Sequence, residues 1–252
     1  MKNSTTKIKT TYYVLGILFL FVSWFVVSAI FQNNYIVPTI KDSALALWDL
    51  LRQGYTYKVL GFTLLRLLIA ISICFILGVS LAVLSNRFYR FQAFVKPTIT
   101  LLKTLPIAVV IIFLLVMFDR ENAPYFIVSV VVLPLIYEAT LMGLENIDKS
   151  IKDEIKLLTK PNFYVFSKVY LPITFPFILT SLIQSVGLGL KVLVMAEYLS
   201  QPKYSIGAEI IYYQDIAVKM EYVYAWSIIL VIFVLVVEFI LIKLSKKNSV
   251  NV

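Results

Sequence analysis

The chain has 252 residues, of which 60% are hydrophobic and 15% charged; soluble domains average about 45–50% apolar and about 25% charged, so an ordinary soluble enzyme is excluded. It has no histidine and a single cysteine, Cys74, which removes disulfide frameworks, zinc sites and histidine-based acid–base catalysis. A formal charge of +9 on so apolar a chain reads as membrane orientation before it reads as nucleic-acid binding, and no nucleic-acid partner is expected.

About 20 mostly apolar residues are needed to cross roughly 30 Å of hydrocarbon as a helix, because every backbone group there must be hydrogen-bonded internally. Six stretches meet that requirement: 12–31, 60–84, 97–118, 125–142, 172–196 and 222–244. The expectation is an all-α polytopic membrane protein, with residues 1–252 forming one transmembrane domain in membrane lipid. The first span follows a basic start, Lys2, Lys7 and Lys9. Its apolar run is too long for a signal-peptide core and no A-x-A-like site follows, so it is expected to stay attached. Next, the segment from Pro38 to Gly54 puts Ala44, Leu45, Trp48 and Leu51 at helical spacing, a short amphipathic helix that lies along the interface or packs as a lid on the bundle. The fourth span carries Pro134 and Glu138, and the fifth carries Pro176, Gln184 and Lys191; neither is a plain lipid-facing helix. Gly187 and Gly189 in the fifth let another helix approach closely.

Orientation follows from the lysines and arginines. With the N-terminus inside and six crossings, 15 of the 23 fall inside and 6 outside, while Arg66 and Lys191 lie within spans. That asymmetry matches the positive-inside rule with both termini cytoplasmic, and an odd number of spans would scramble it.

The inner segment 144–171 reads as helix, turn, helix. Ile147, Ile151, Ile155 and Leu158 line one face. Pro161 lacks an N–H and pushes Lys160 out of the α region, ending the first helix near Leu158 or Thr159, while Thr159 or Asn162 can cap the second. The second piece carries Phe163, Phe166, Val169 and Tyr170. This aromatic, basic knuckle either seats on a soluble partner or anchors a solvated loop at headgroup level.

At this loop the sequence resembles the permease subunits of ATP-binding-cassette (ABC) importers, whose coupling loop is written EAA, three residues, G, nine residues, I-x-L-P. Val169-Tyr170-Leu171-Pro172 stands on the end of that pattern, which puts Asp153-Glu154-Ile155 on EAA and Thr159 on the glycine. Thr159 lacks the glycine's backbone freedom, so Pro161 would have to supply the turn. Further pieces are similar to the nitrate, sulfonate and taurine branch: Val37-Pro38-Thr39, Thr63-Leu64-Leu65-Arg66, Leu102-Lys103-Thr104-Leu105-Pro106, Gly143, Leu171-Pro172 with Pro176, Ala196-Glu197, and Gly207. Ala70 and Ala82 depart from it, standing where that branch usually has glycine. The resemblance implies a type I ABC importer permease fold in the cytoplasmic (inner) membrane. It also implies a homodimer, two ABC ATPase subunits, an extracytoplasmic solute-binding protein and a small solute, such as a sulfonate or nitrate. Asp153, Glu154, Thr159, Lys160, Pro161, Phe163, Val169 and Pro172 are then the ATPase-coupling residues. No GxxxxGK[ST] occurs, so the chain is not expected to be an enzyme or to hold a cofactor; ATP and Mg belong to the partner ATPase.

An ionisable group at the centre of a span costs about 2.5–3.5 kcal/mol on insertion scales. Glu138 and Glu238 lie near the cytoplasmic ends, where they reach water or pair between helices. Arg66 and Glu197 lie near the outer ends, whereas Lys191 is deeper and about 120° around its helix from Glu197. Arg66, Lys191 and Glu197 are candidates for a translocation path for an anionic solute; the alternative is that the lysine is held by Glu197 or Glu221. A secondary transporter or channel remains the rival class, although it needs no EAA-spaced loop and often shows paired broken helices or internal repeats, which are not found. A membrane-embedded enzyme lacks its usual residues here.

Overall fold

The computed structural model describes residues 2–158 and 163–249, and every regular element among them is helical. In chain order these are α1 (Lys2–Phe31), α2 (Ile40–Arg52), α3 (Gly54–Arg87), α4 (Tyr89–Thr104), α5 (Ile107–Met117), α6 (Ala123–Glu145), α7 (Lys149–Leu158), α8 (Phe163–Val165), α9 (Leu171–Ser200), α10 (Ile206–Ile211) and α11 (Met220–Ser249). Two π-helical turns, Phe166–Tyr170 and Tyr212–Ile216, precede α9 and follow α10. The all-α polytopic expectation holds. The turn predicted at Thr159, Lys160 and Pro161 lies outside the described residues.

Five segments are long and apolar enough to cross a membrane: Val14–Phe31, Gly54–Arg87, Ala123–Glu145, Phe166–Ser200 and Met220–Val237. The stretch expected as a third span, 97–118, is instead divided between α4 and α5, which meet at a bend of 102°. The cause is local. Pro106 has no N–H to continue the ladder and holds Leu105 extended, at φ −62° and ψ 130°. Even so, the bent pair joins the two ends of α6. Gln92 of α4 donates to Glu145 at 2.8 Å, and Phe118, just after α5, stacks on Phe126 with ring centroids 3.8 Å apart.

The fifth span starts earlier than expected, because the helix runs through Leu171-Pro172 without a break. The π turn explains this: Leu171 donates to the Phe166 carbonyl five residues back, and the wider turn accommodates the missing N–H and the ring of Pro172.

The chain divides into two compact units, Met1–Tyr57 with Glu209–Leu230, and Lys58–Ala208 with Val231–Val252. In the first, Trp24 of α1 donates to the Pro38 carbonyl at 3.1 Å and stacks on Tyr224 of α11. Thr39 caps α2 by accepting from the Asp42 N–H at 3.1 Å.

In the second unit the two proline-bearing spans are the centre. α6 and the α9 span bury 50% and 44% of their apolar windows, more than any other span, as expected of helices that face protein. Ile127, Val128, Val132 and Ile136 of α6 are fully buried, as are Leu193 and Ala196 of α9. Small residues set the spacing. A Cβ at Gly189 would sit 3.2 Å from Leu67 of α3 and 3.4 Å from Val132 of α6, and one at Gly143 would sit 2.6 Å from the Thr174 methyl of α9. Ala70 and Ala82 are both fully buried, and Ala82 packs with Val95, Ile99 and Tyr137, so a methyl group fits where the branch pattern has glycine.

Candidate functional site

The ion-paired side chains described in the second unit form two groups, Arg66 with Glu197 and Glu121, and Lys103 with Glu138. Arg66 of α3 and Glu197 of α9 meet with 4% and 0% of their surfaces exposed. The Arg66 Nη1 donates to Glu197 at 3.2 Å and to the Tyr204 carbonyl at 3.2 Å; its Nη2 donates to the Lys203 carbonyl at 2.7 Å and to Glu121 at 3.2 Å. Glu197 also accepts from the Thr63 hydroxyl, 3.0 Å from each oxygen, and from the Gly207 N–H at 3.4 Å. Thr63 in turn accepts from the Ile206 N–H, and Glu121 from the Lys203 N–H at 2.8 Å. The spacing of Thr63 and Arg66, three residues apart on a helix, aims both at one carboxylate. Such saturation is what makes buried charge tolerable. Gly207 completes the junction, because a Cβ there would run into the backbone of Glu197 and Tyr198.

Of the three residues expected along a path, the structure therefore brings Arg66 and Glu197 together as a buried pair and leaves Lys191 apart, exposed on α9. Lys191 shares its face with Gln184, Leu188 and Met195 at helical spacing. Gln184 reaches a cleft of about 530 Å³ between α6 and α9, lined also by Glu138, Met142, Phe177 and Thr180. Glu138 pairs across helices with Lys103 of α4 at 2.6 Å, one of the two states expected for it. The side chain of Glu238 lies outside the described residues.

The coupling-like segment is amphipathic as expected over α7. Ile147 is buried and Ile151 and Ile155 are half-buried, while Asp153, Glu154 and Leu157 are exposed. Lys152 Nζ reaches back to the Glu145 carbonyl at 3.1 Å, tying α7 to the end of α6. After residues 159–162, which lie outside the described residues, Phe163 opens α8; its side chain also lies outside the described residues. Val165 is buried, Val169 half-buried and Pro172 exposed. The second helix expected here is not a separate piece, since α8 and the π turn run directly into α9.

Sequence reasoning missed Glu121, which clamps Arg66 and the Lys203 backbone together. Its position in the polar run Asp119-Arg120-Glu121-Asn122 gave no periodic signal, because its partners are distant in sequence. No cluster of metal-ligating side chains occurs among the described residues.

Long apolar helices, with the buried charges Arg66 and Glu197 paired at a helix junction and an amphipathic segment before one span, define a multi-pass membrane protein. The chain belongs to the binding-protein-dependent transport system inner membrane component family, whose model matches residues 74–249. Over 139 residues it is 24% identical to the glycine betaine/proline betaine transport system permease protein ProW of Escherichia coli (strain K12), covering 55% of this chain and 39% of that protein. The ProW of Salmonella typhimurium is 23% identical over 185 residues, 73% of this chain and 50% of that one. The chain thus spans half or less of the length of these relatives. A bacterial ABC transporter involved in the import of the acidic polysaccharide alginate contains a chain with the same fold, at a TM-score of 0.67 and 15% identity over 96% of this chain and 98% of that one.

Proposed function

We propose that this chain is the permease subunit of an ABC importer in the cytoplasmic membrane. Two copies form the pathway, an extracytoplasmic solute-binding protein delivers a small solute, and two ATPase subunits supply the energy with their own ATP and Mg. The observation that carries this reading is the family match over residues 74–249. The amphipathic α7 and the α8–π turn segment supply a mechanical rationale. The α8–π turn segment runs into α9 without an intervening loop, so force applied at Phe163, or at Asp153 or Glu154 and passed on through the turn, would enter a helix packed against α6. Thr159, Lys160 and Pro161 form the turn of that lever in this reading, and Val169 and Pro172 its junction with the span. With the bent α4–α5 pair counted as one crossing, the 15 to 6 distribution of lysine and arginine supports cytoplasmic termini.

The solute is a small molecule with an anionic group. Motif positions such as Thr63, Arg66 and Gly207 suggest sulfonate or nitrate; the relatives are named for betaines, whose carboxylate is also anionic. Lys191, exposed in mid-span, is the cation best placed to meet such a group along the path, whereas Arg66 and Glu197 would join it only if their junction opens. The test is reconstitution: the chain with its cognate ATPase and loaded binding protein should take up solute only with ATP. Uptake without the ATPase, driven by an ion gradient, would establish the secondary-transporter class instead.

A further inference from the structure

Helix α2 presents three distinct faces. Ser43, Ala46 and Leu50 are buried beneath it, so it does act as a packing lid. On one flank its carboxylates are engaged within the protein: Asp42 accepts from Thr39 at 2.7 Å and Asn34 at 3.1 Å, and Asp49 from Tyr222 at 2.7 Å and Gln53 at 3.2 Å. The third face holds Lys41, Leu45, Trp48 and Arg52, at the i, i+4, i+7, i+11 spacing of a single stripe. All four are exposed; Leu45 and Trp48 are 59% and 58% accessible. The Arg52 guanidinium lies over the Trp48 ring, 4.7 Å from its centroid. With the acids held on the flank, the stripe offers an aromatic and an aliphatic side chain bracketed by two cations.

The start of α2 is anchored on α1. The Trp24–Pro38 hydrogen bond holds the entry to α2 beside α1 seven residues before Phe31, about 10 Å below the end of that helix. The surrounding α1 surface is apolar, with Phe25, Val26 and Ile30 exposed. The stripe therefore begins beside the apolar surface of a hydrocarbon-facing helix.

We propose that the Lys41–Leu45–Trp48–Arg52 face of α2 is a lipid-binding surface seated at the membrane interface, with Leu45 and Trp48 in the acyl boundary and Lys41 and Arg52 on the phosphates of anionic phospholipid headgroups. Charge complementarity and the aromatic preference for the headgroup level select this occupant. The surface is independent of which solute is carried.

The full chain reconstituted in phosphatidylcholine nanodiscs, with and without phosphatidylglycerol, tests it. Emission attributable to Trp48, taken as the difference between wild type and Trp48→Phe, should be quenched by lipids brominated on the acyl chain and not by iodide. Phosphatidylglycerol should be enriched around the wild-type chain, and Lys41→Gln and Arg52→Gln should each lower that enrichment about fivefold. Iodide quenching of Trp48 in the wild type would overturn the proposal, because the stripe would then face water or a soluble partner. Lipid quenching with no loss of enrichment in the two glutamine variants would equally overturn the headgroup assignment.

Discussion

Arg66 and Glu197 lie 131 positions apart in the chain and 3.2 Å apart in the fold, and neither has appreciable exposed surface. They join α3 to the end of α9 and, through Glu121, Lys203 and Tyr204, to the loops that follow α5 and α9. Removing one partner strands a buried charge, which costs about 3–5 kcal/mol, whereas replacing both with apolar groups is often nearly neutral. Arg66→Ala should therefore lower the midpoint of thermal unfolding sharply, and Glu197→Gln less, since the amide oxygen still accepts from Thr63. The double variant Arg66→Met/Glu197→Leu should recover part of the loss. An unchanged midpoint in Arg66→Ala would show that the junction is not structural.

The close crossing of α6 and α9 gives a second prediction. A methyl group at Gly143 meets the Thr174 methyl at 2.6 Å, so Gly143→Ala should destabilise by about 1–3 kcal/mol through overpacking. Thr174→Ser deletes the obstructing methyl, and the Gly143→Ala/Thr174→Ser pair should be more stable than Gly143→Ala alone. Additive losses in a double-mutant cycle would contradict the contact.

Topology is tested by labelling. Cysteines at Lys41 and Lys203 should react with an impermeant thiol reagent in intact cells, and cysteines at Arg90 and Lys160 should not. The native Cys74 is buried and gives no background. Labelling at position 160 from outside would reverse the proposed orientation.

The coupling reading is tested at α7 and α8. Asp153→Lys and Phe163→Ala should insert normally yet lose copurifying ATPase or ATP-driven uptake; a buried aromatic anchor at an interface is commonly worth about 2 kcal/mol or more. Thr159→Gly, which restores the pattern's glycine, should be tolerated, and Arg120→Ala should behave as wild type. Wild-type transport by both Asp153→Lys and Phe163→Ala, with the ATPase still bound, would reduce the segment to a solvated connection.

The sequence alone determined that this is an all-helical, multi-pass membrane protein, because runs of apolar residues near bilayer length have one stable solution in lipid. It also made legible the amphipathic faces of α2 and α7 and the protein-facing character of the proline-bearing spans, since these depend on period and composition within a single helix. Tertiary structure decided the rest. Whether 97–118 runs straight turned on how the chain accommodates Pro106, and the continuity at Pro172 turned on a π turn that no hydrophobic period encodes. Glu121 acquired its role only when folding brought its loop to Arg66, and helix packing brought Arg66 to Glu197 rather than to Lys191. A charge in a span announces its cost in the sequence, but its partner is chosen by contacts between segments far apart in the chain, which local pattern cannot specify.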